Sequence, residues 1–178
     1  MPDPMSKENN DINNSQLSTL SPQLRNRPLQ VLGMAKKAGL LAIGSDAVKT
    51  AAREGSVKLI ILASDTSKSS IRQAEYSAED SKTISITTPY TKFELGSFTG
   101  RGSPGTLAFL DLGLAAGFME KLAALDAGRY EAAAETVAVK LHKAREKAAK
   151  TRTHKEMANN AQTTNRKQNQ QVRRRTKI

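Results

Sequence analysis

Residues 29–55 read LQVLGMAKKAGLLAIGSDAVKTAAREG, and residues 57–65 read VKLIILASD. In the first stretch Leu29, Leu32 and Ala35 recur at helical spacing before a glycine, which predicts a helix over residues 29–38 that Gly39 closes. A strand over residues 40–43, a turn at Gly44 and a helix over residues 45–53 with Ser45 as its N-cap follow. Residues 57–63 of the second stretch are apolar except for Lys58. This run is too continuous for a strand with one solvated face, so it predicts a central parallel strand covered on both faces.

The following residues continue this alternation of helices and strands. In order, we predict a polar helix from caps at residues 65–67 to residue 81, a strand over 83–87, a short helix opened by a Thr91–Glu94 capping box, a strand over 107–110 and a last helix capped by Asp111. Alternation at this density predicts an α/β protein, a three-layer α/β/α sandwich around a small, mostly parallel or mixed sheet.

The two flanks differ in composition from this core. Residues 1–27 are rich in Ser, Asn, Asp and Pro, which predicts a disordered N-terminal segment before a folded domain over residues 28–125. Residues 126–158 are rich in Ala, Lys and Glu and predict a solvated basic helix. Residues 159–178 are rich in Asn, Gln and Arg and predict a basic disordered tail.

The charge is concentrated in the last third of the chain. The formal net charge is +11, and residues 126–178 hold fourteen basic and five acidic side chains against eleven and nine in residues 29–125. Such asymmetry indicates a polyanionic partner, which is RNA, DNA or an acidic membrane surface. The alternative is that the basic segment serves solubility alone.

The composition excludes several kinds of active site. The chain has no cysteine, which excludes disulfides, thiolate metal sites and cysteine nucleophiles. Its two histidines, His142 and His154, lie in the basic last third, so the folded core cannot hold a histidine metal centre or triad. Asp65 and Asp111 are explained as helix caps. We therefore expect no catalytic residue, metal, cofactor or small-molecule substrate. Without a signal peptide or an apolar run of about 20 residues, we also expect a soluble cytoplasmic protein with no membrane partner.

Candidate binding residues cluster around the second helix and a later glycine-rich loop. A helix N-terminus presents free N–H groups and partial positive charge, and a glycine there allows a phosphate backbone to come close. The loop GRGSPG at residues 100–105 lacks the Gly-Lys-Ser/Thr ending of a nucleotide-hydrolysing phosphate loop. For each motif the alternative is an ordinary turn with solvated charges. The residues that we predict to bind RNA are Lys36, Lys37, Gly44, Ser45, Asp46, Lys49, Thr50, Arg53, Arg101 and Gly102.

Two strings carry a family resemblance: LGMAKKAGLLAIGSDAVKTAAREGSVKLIILASD at residues 32–65 and LAFLDLGLAAGFMEKL at residues 107–122. Together with the glycine-rich loop they resemble the L7Ae/L30e family of ribosomal proteins over residues 29–125, and its bacterial YlxQ-like branch most of all. The resemblance implies an α/β/α sandwich and noncatalytic RNA binding. In this family the RNA is typically a kink-turn, in which tandem sheared G·A pairs follow a sharp bulge.

The family's RNA signature is Gly-x-Asn-Glu-x-x-Lys at the opening of the second helix. Without gaps, Gly44 takes the glycine position, Asp46 the asparagine, Ala47 the glutamate and Thr50 the lysine, so three of the four positions depart. Aspartate lacks the amide donor of asparagine, and alanine lacks the carboxylate acceptor of glutamate. A register shifted by one residue pairs Asp46 with the glutamate and Lys49 with the lysine but loses Gly44.

From these observations we predict a noncatalytic RNA-binding protein associated with ribosomes or ribosomal RNA. The start of the second helix and the glycine-rich loop would contact a structured RNA, ribosomal proteins would be further partners, and the basic tail would add phosphate contacts. A second hypothesis is a protein-interaction module of a ribosome-linked complex, with the tail as its only nucleic-acid anchor. A third is the substrate-binding domain of an RNA methyltransferase, for which the sequence has no cofactor-binding half.

Overall fold

The computed structural model describes residues 21–100 and 102–175, with side chains described as far as Arg152. Within these residues the chain forms six helices and four strands. In chain order they are α1 (Pro22–Lys37), β1 (Leu41–Ile43), α2 (Ser45–Arg53), β2 (Leu59–Leu62), α3 (Lys68–Asp80), β3 (Ser85–Thr87), α4 (Lys92–Thr99), β4 (Thr106–Phe109), α5 (Leu112–Ala123) and α6 (Ala127–Arg175). The predicted alternation of helices and strands is confirmed, with boundaries that agree for α2 and shift by up to seven residues in the other helices before α6 and in the strands.

The four strands form one mixed sheet in the order β1-β4-β2-β3. Strand β4 is antiparallel to both of its neighbours, pairing Phe109 with Leu41 on one side and with Leu59 on the other. Strand β2 pairs with β3 in parallel, with Ile61 opposite Ile86. The predicted central position of β2 is therefore confirmed. Its neighbour β4 is antiparallel to it, because the chain enters β4 at the sheet end where β2 finishes, with Thr106 opposite Leu62.

Helices cover both faces of the sheet, as an α/β/α sandwich requires. Alternate residues of β2 enter different cores, because successive side chains of a strand point to opposite faces. Leu59 and Ile61 pack with residues of α1, α4, α5 and the beginning of α6. Ile60 and Leu62 pack with small residues of α2 and α3. The continuous apolar run of β2 thus reflects burial on both faces.

Several predicted caps are present, and one differs. Thr91 and Glu94 form the predicted capping box of α4, and the Leu114 N–H donates to Asp111 Oδ1 at 2.8 Å at the start of α5. The predicted cap at Ser45 is wrong, because Gly44 is the N-cap of α2 and no side chain caps that helix. Gly44 has φ 95° and ψ 157°. That backbone conformation suits glycine and leaves Ser45 as the first helical residue.

Helix α1 begins at Pro22, before the start that we predicted at residue 28 or 29. Pro28 lies inside the helix, where the missing N–H and the ring normally disfavour continuation. Tertiary contacts hold the preceding turns in place. Arg25 Nη2 lies 2.6 Å from Glu94 Oε1, and the Tyr90 hydroxyl donates to the Arg25 carbonyl oxygen at 2.7 Å. Local sequence gives no sign of these partners, which lie more than sixty residues away.

The folded domain extends beyond residue 125, where we predicted its end. Tyr130 and Val137 are 3% and 1% exposed and belong to the same core as β2 and α5. The Tyr130 hydroxyl donates to the Thr87 carbonyl oxygen at 3.1 Å. Burial raises the pKa of Tyr130 to about 12. Tyr130 and Val137 lie seven residues apart, on one face of a helix. Two apolar side chains on one face were too weak a sequence pattern to assign residues 126–138 to the core.

The chain divides into two compact units, residues 1–138 and residues 139–178. The first unit contains the sheet, the helices around it and the first turns of α6. The second consists, where described, of the remainder of α6, with residues 142–152 exposed. Helix α6 ends at Arg175, past the helix end predicted near residue 158 and into the segment predicted as a tail. Alanine, lysine, arginine and glutamine all have good helix propensity, so this composition is compatible with a longer helix.

Candidate functional site

One end of the sheet gathers the start of α2 and the end of the glycine-rich loop. The Gly44 N–H donates to the Thr106 carbonyl oxygen at 2.9 Å, which joins the turn before α2 to the start of β4. The Ala63 N–H and the Thr66 hydroxyl both donate to the Gly105 carbonyl oxygen, at 2.9 and 2.8 Å. The last loop residue is therefore fixed between the ends of β1 and β2. We call this surface the loop edge; it comprises residues 44–46, Thr66, Lys92, Gly100 and residues 102–105.

Two lysines border the loop edge. A Cβ atom placed on Gly100 would lie 2.8 Å from Lys36 Nζ, and Gly100 has φ 60°. A Cβ atom on Gly105 would lie 3.2 Å from Lys92 Cε and from Thr66 Oγ1. Glycine at both positions therefore leaves room for the lysine side chains. The loop backbone and two cations form a surface to which a phosphate can come close.

Lys92 and Thr66 were not among the predicted site residues. Lys92 follows the capping residue Thr91, so it stands in the first turn of α4, where its backbone N–H donates to Asp65 Oδ1 at 2.8 Å. Asp65 thus contacts the start of α4, not the start of α3, whose N-cap is Ser67. The capping box was a local signal for the position of Lys92. Only the sheet topology brings it beside Gly105.

The start of α2 has the features predicted for an anion or base-edge contact. No side chain caps the helix, so the N–H groups of its first turn have neither a side-chain nor an intrahelical acceptor. Asp46 is exposed in the first turn and adds a negative charge that favours the helix dipole but opposes a phosphate. Ala47 and Thr50 are also exposed, and the Thr50 hydroxyl donates to the Asp46 carbonyl oxygen at 3.0 Å. The three positions that depart from the family signature are therefore all accessible.

The predicted residues do not form one continuous site. Lys49 and Arg53 line a groove of about 390 Å³ between α2 and α3 instead of the loop edge. Lys37 is exposed in the last turn of α1, and Gly102 is exposed in the loop. Arg101 lies outside the described residues. The structure thus places Lys36 beside Gly100 at the start of the loop, Gly44 and Ser45 beside Thr106 at its end, and Lys49 and Arg53 on a second surface.

The two units differ sharply in net charge. Residues 1–138 carry fifteen basic and fifteen acidic side chains, whereas residues 139–178 carry thirteen basic and two acidic ones. The neutral first unit offers cations only at particular positions. The second unit holds the whole net charge of the chain and attracts polyanions without regard to their structure.

The described residues also lack two kinds of feature. They contain no cluster of three or more histidine, cysteine, aspartate or glutamate side chains that could hold a metal ion. Nor does any helix in the described part of the chain have the length and apolar character needed to cross a bilayer. A helix start without a side-chain cap, a glycine loop and lysines beside that loop are features that suit contacts with phosphates.

Comparison with known proteins identifies the family. Residues 27–117 match the ribosomal protein L7Ae/L30e/S12e/Gadd45 family, so the chain belongs to that family. Membership confirms the predicted L7Ae/L30e family and supports an RNA-binding function of the ribosomal-protein type. The family is noncatalytic, which fits the expectation of a protein without an active site.

Among solved structures, the chain is similar to a protein of unknown function from Bacillus halodurans C. The two share 28% sequence identity, the match covers 56% of this chain and 95% of that one, and the TM-score is 0.46. No curated protein matches the chain.

Proposed function

We propose that this protein is a ribosome- or ribosomal-RNA-associated member of its family, of the bacterial YlxQ-like branch, that binds kink-turn-like RNA in the cytoplasm. The loop edge makes the contacts that depend on RNA structure. The basic segment at residues 139–178 adds phosphate contacts that do not depend on it. Ribosomal proteins are further candidate partners.

The observation that carries this proposal is the meeting of three elements at one end of the sheet. Hydrogen bonds of 2.8–2.9 Å join the Gly44 turn to Thr106 and Thr66 to Gly105. The Lys92 side chain lies beside Gly105, and the Lys36 side chain lies beside Gly100 at the start of the loop. A kink-turn presents two backbones that converge at a sharp bend, so a surface that binds it needs cations and backbone N–H groups close together. Lys36 and Lys92 supply the cations, and the start of α2 supplies the N–H groups.

The exposed departures at Asp46, Ala47 and Thr50 allow a gain-of-function test. The full-length chain and a triple variant, Asp46→Asn, Ala47→Glu and Thr50→Lys, are titrated against a kink-turn RNA and against the same RNA with its G·A pairs disrupted. We expect the natural chain to prefer the intact kink-turn by tenfold or more, about 1.4 kcal/mol. We expect the triple variant to widen that preference, because it restores an amide donor, a carboxylate acceptor and a cation.

A matched control replaces residues of equal exposure away from the loop edge. Glu75→Gln and Glu79→Gln on α3 alter charge on an exposed helix without approaching α2's first turn. The Glu75→Gln and Glu79→Gln proteins should each retain the natural chain's preference for the intact kink-turn. If neither the natural chain nor the triple variant distinguishes the two RNAs, the proposed recognition by the loop edge is wrong.

A protein-interaction module is the second candidate function. The same three departures favour it, because they remove groups that the family's signature directs at RNA. In that case the isolated charge of residues 139–178 would account for all RNA binding. Equal affinity for intact and disrupted kink-turns, abolished by removing residues 139–178, would support this second candidate.

A further inference from the structure

The groove between α2 and α3 has a chemistry unlike that of the loop edge. The two helices pack through small side chains, with Val48, Ala51 and Ala52 of α2 in one core with Ala74 and Ala78 of α3. Small residues let helices approach closely, so the longer side chains above them form the walls of the groove. The residues that line it are Lys49, Ala52, Arg53, Gln73, Tyr76, Ser77 and Asp80. Its volume of about 390 Å³ lies within the range of small-ligand sites.

Tyr76 is the first feature that points to a ligand. Its side chain is 73% exposed, whereas Tyr90 and Tyr130, the other tyrosines of the chain, are 0% and 3% exposed. The buried pair donate their hydroxyls to backbone carbonyls. Tyr76 has no such structural role, and an exposed aromatic ring beside cations is the arrangement on which nucleic-acid bases stack.

The second feature is the pair of cations on the opposite wall. Lys49 and Arg53 are one helical turn apart and both exposed. In the part of the chain that the structure describes, neither forms an ion pair. Asp80 shares the groove and lowers its net charge, so the attraction for a polyanion is local to the two cations. Gln73 and Asp80 add a donor and acceptors that can face a base edge.

We propose that this groove binds an unpaired nucleotide of an RNA strand, with the base stacked on Tyr76 and a phosphate held by Lys49 and Arg53. The inference rests on the proposed RNA-binding function and adds a second contact to it. Ser45, at the start of α2, lines a narrow cavity that shares Gln73 and Ser77 with the groove. From Ser45 to Arg53 the helix rises about 12 Å. A single strand that leaves a structured RNA at the loop edge can therefore continue along α2 into the groove.

Tyrosine fluorescence tests this proposal directly, because the chain contains no tryptophan. The full-length protein is titrated with a six-nucleotide single-stranded oligo(A), and binding is followed by tyrosine emission and by anisotropy of a labelled copy. Stacking on Tyr76 should quench its emission saturably. Tyr76→Leu should abolish the quenching and weaken binding between about fivefold and a hundredfold.

Charge variants provide a second, independent measurement. Replacing Lys49 and Arg53 together by Gln should lower the oligo(A) affinity measured by quenching of tyrosine emission, and Asp80→Asn should raise that affinity. Arg72→Gln removes one charge from an exposed position on α3 that does not line the groove, and should leave the quenching unchanged. Circular dichroism verifies that each variant is folded.

The outcomes separate this proposal from the proposed function. Oligo(A) that binds by anisotropy without changing tyrosine emission, or that binds the Tyr76→Leu protein as tightly, overturns the groove proposal. The preference for an intact kink-turn would then stand unaffected. Conversely, saturable quenching with no kink-turn preference would support the groove and overturn recognition at the loop edge.

Discussion

Replacing Thr106 by valine should stabilise the protein. Thr106 opens β4 beside the start of α2 and is only 3% exposed. Its hydroxyl has no hydrogen-bond partner among the described residues, and the adjoining cavity is too narrow to hold a water molecule. A buried polar group without a partner costs about 1–3 kcal/mol. Valine keeps the shape, replaces the hydroxyl by a methyl group and favours strands. We therefore expect the free energy of unfolding to rise by about 1–2 kcal/mol.

Thr88 supplies the matched control. It is equally buried, but its hydroxyl donates to the Leu62 carbonyl oxygen at 2.9 Å. Thr88→Val should therefore lower the free energy of unfolding by about 1 kcal/mol. Urea unfolding followed by tyrosine emission reports on the core that contains Tyr90 and Tyr130. With an unchanged m-value the two variants should shift the midpoint in opposite directions. A midpoint that falls for both would refute the reasoning, because the Thr106 hydroxyl would then have to have a partner.

Other predictions concern the domain boundary, alkaline stability and the glycine loop. A chain truncated after Ala138 should melt within a few degrees of the full chain, whereas truncation after Leu125 removes buried Tyr130 and should cost about 3 kcal/mol or more in urea unfolding. Because burial raises the pKa of Tyr130 from 10.0 to about 12, the neutral phenol favours the folded state. The contribution of Tyr130 to the free energy of unfolding should be constant below pH 10 and fall between pH 10 and 12, so Tyr130→Phe should reduce the fall in urea midpoints measured across this range. Gly100→Ala imposes φ 60° on alanine, whereas the Lys36 Nζ that would lie 2.8 Å from the new Cβ ends a flexible side chain and can move aside, so the backbone strain should lower the stability seen in thermal unfolding by about 1–2 kcal/mol.

The parts of the fold that followed from sequence are those fixed by local chemistry. The Thr91–Glu94 capping box and the Asp111 cap depend on residues three apart, and both were predictable. The double burial of β2 was predictable because its apolar run has no alternation. Gly44 was correctly predicted at a turn. Its role as N-cap depends on its backbone angles, which the sequence does not show, and Ser45 was predicted as the N-cap because serine is common there.

The parts that did not follow depend on partners distant in sequence. Pro28 is a reason to end a helix, and only the contacts of Arg25 with Glu94 and Tyr90 show why α1 continues through it. Tyr130 looks like an isolated aromatic in a solvated helix until its hydroxyl reaches Thr87. In both places tertiary packing overrides the local preference, which is why the predicted domain was too short at each end.

The candidate site also contains residues that local sequence could predict and residues that depend on the tertiary fold. The start of α2 was predictable because a glycine before a polar helix is a local pattern. Lys49 and Arg53 follow within the same helix, so sequence alone assigned them to the same surface. They lie on the side of α2 that borders α3, and sequence cannot show that this side forms a separate surface until α3 is known to pack there. Lys92, far along the chain, reaches the loop edge through the sheet order.

The division of charge between the two units leads to a last prediction about salt. Residues 1–138 are formally neutral, so any preference of this unit for RNA structure has to come from where individual side chains are held, not from net attraction. Under the proposed function, residues 139–178 supply phosphate contacts, and six to ten such contacts would lower affinity by about 10³–10⁵-fold between 50 and 200 mM salt. The ratio of affinities for intact and disrupted kink-turns should change little over this range, because the basic segment displaces the same number of counterions from both RNAs. Filter-binding titrations at several salt concentrations measure both quantities. A ratio that collapses together with the affinity would mean that the basic segment itself distinguishes the two RNAs, and the proposed separation of roles would be wrong.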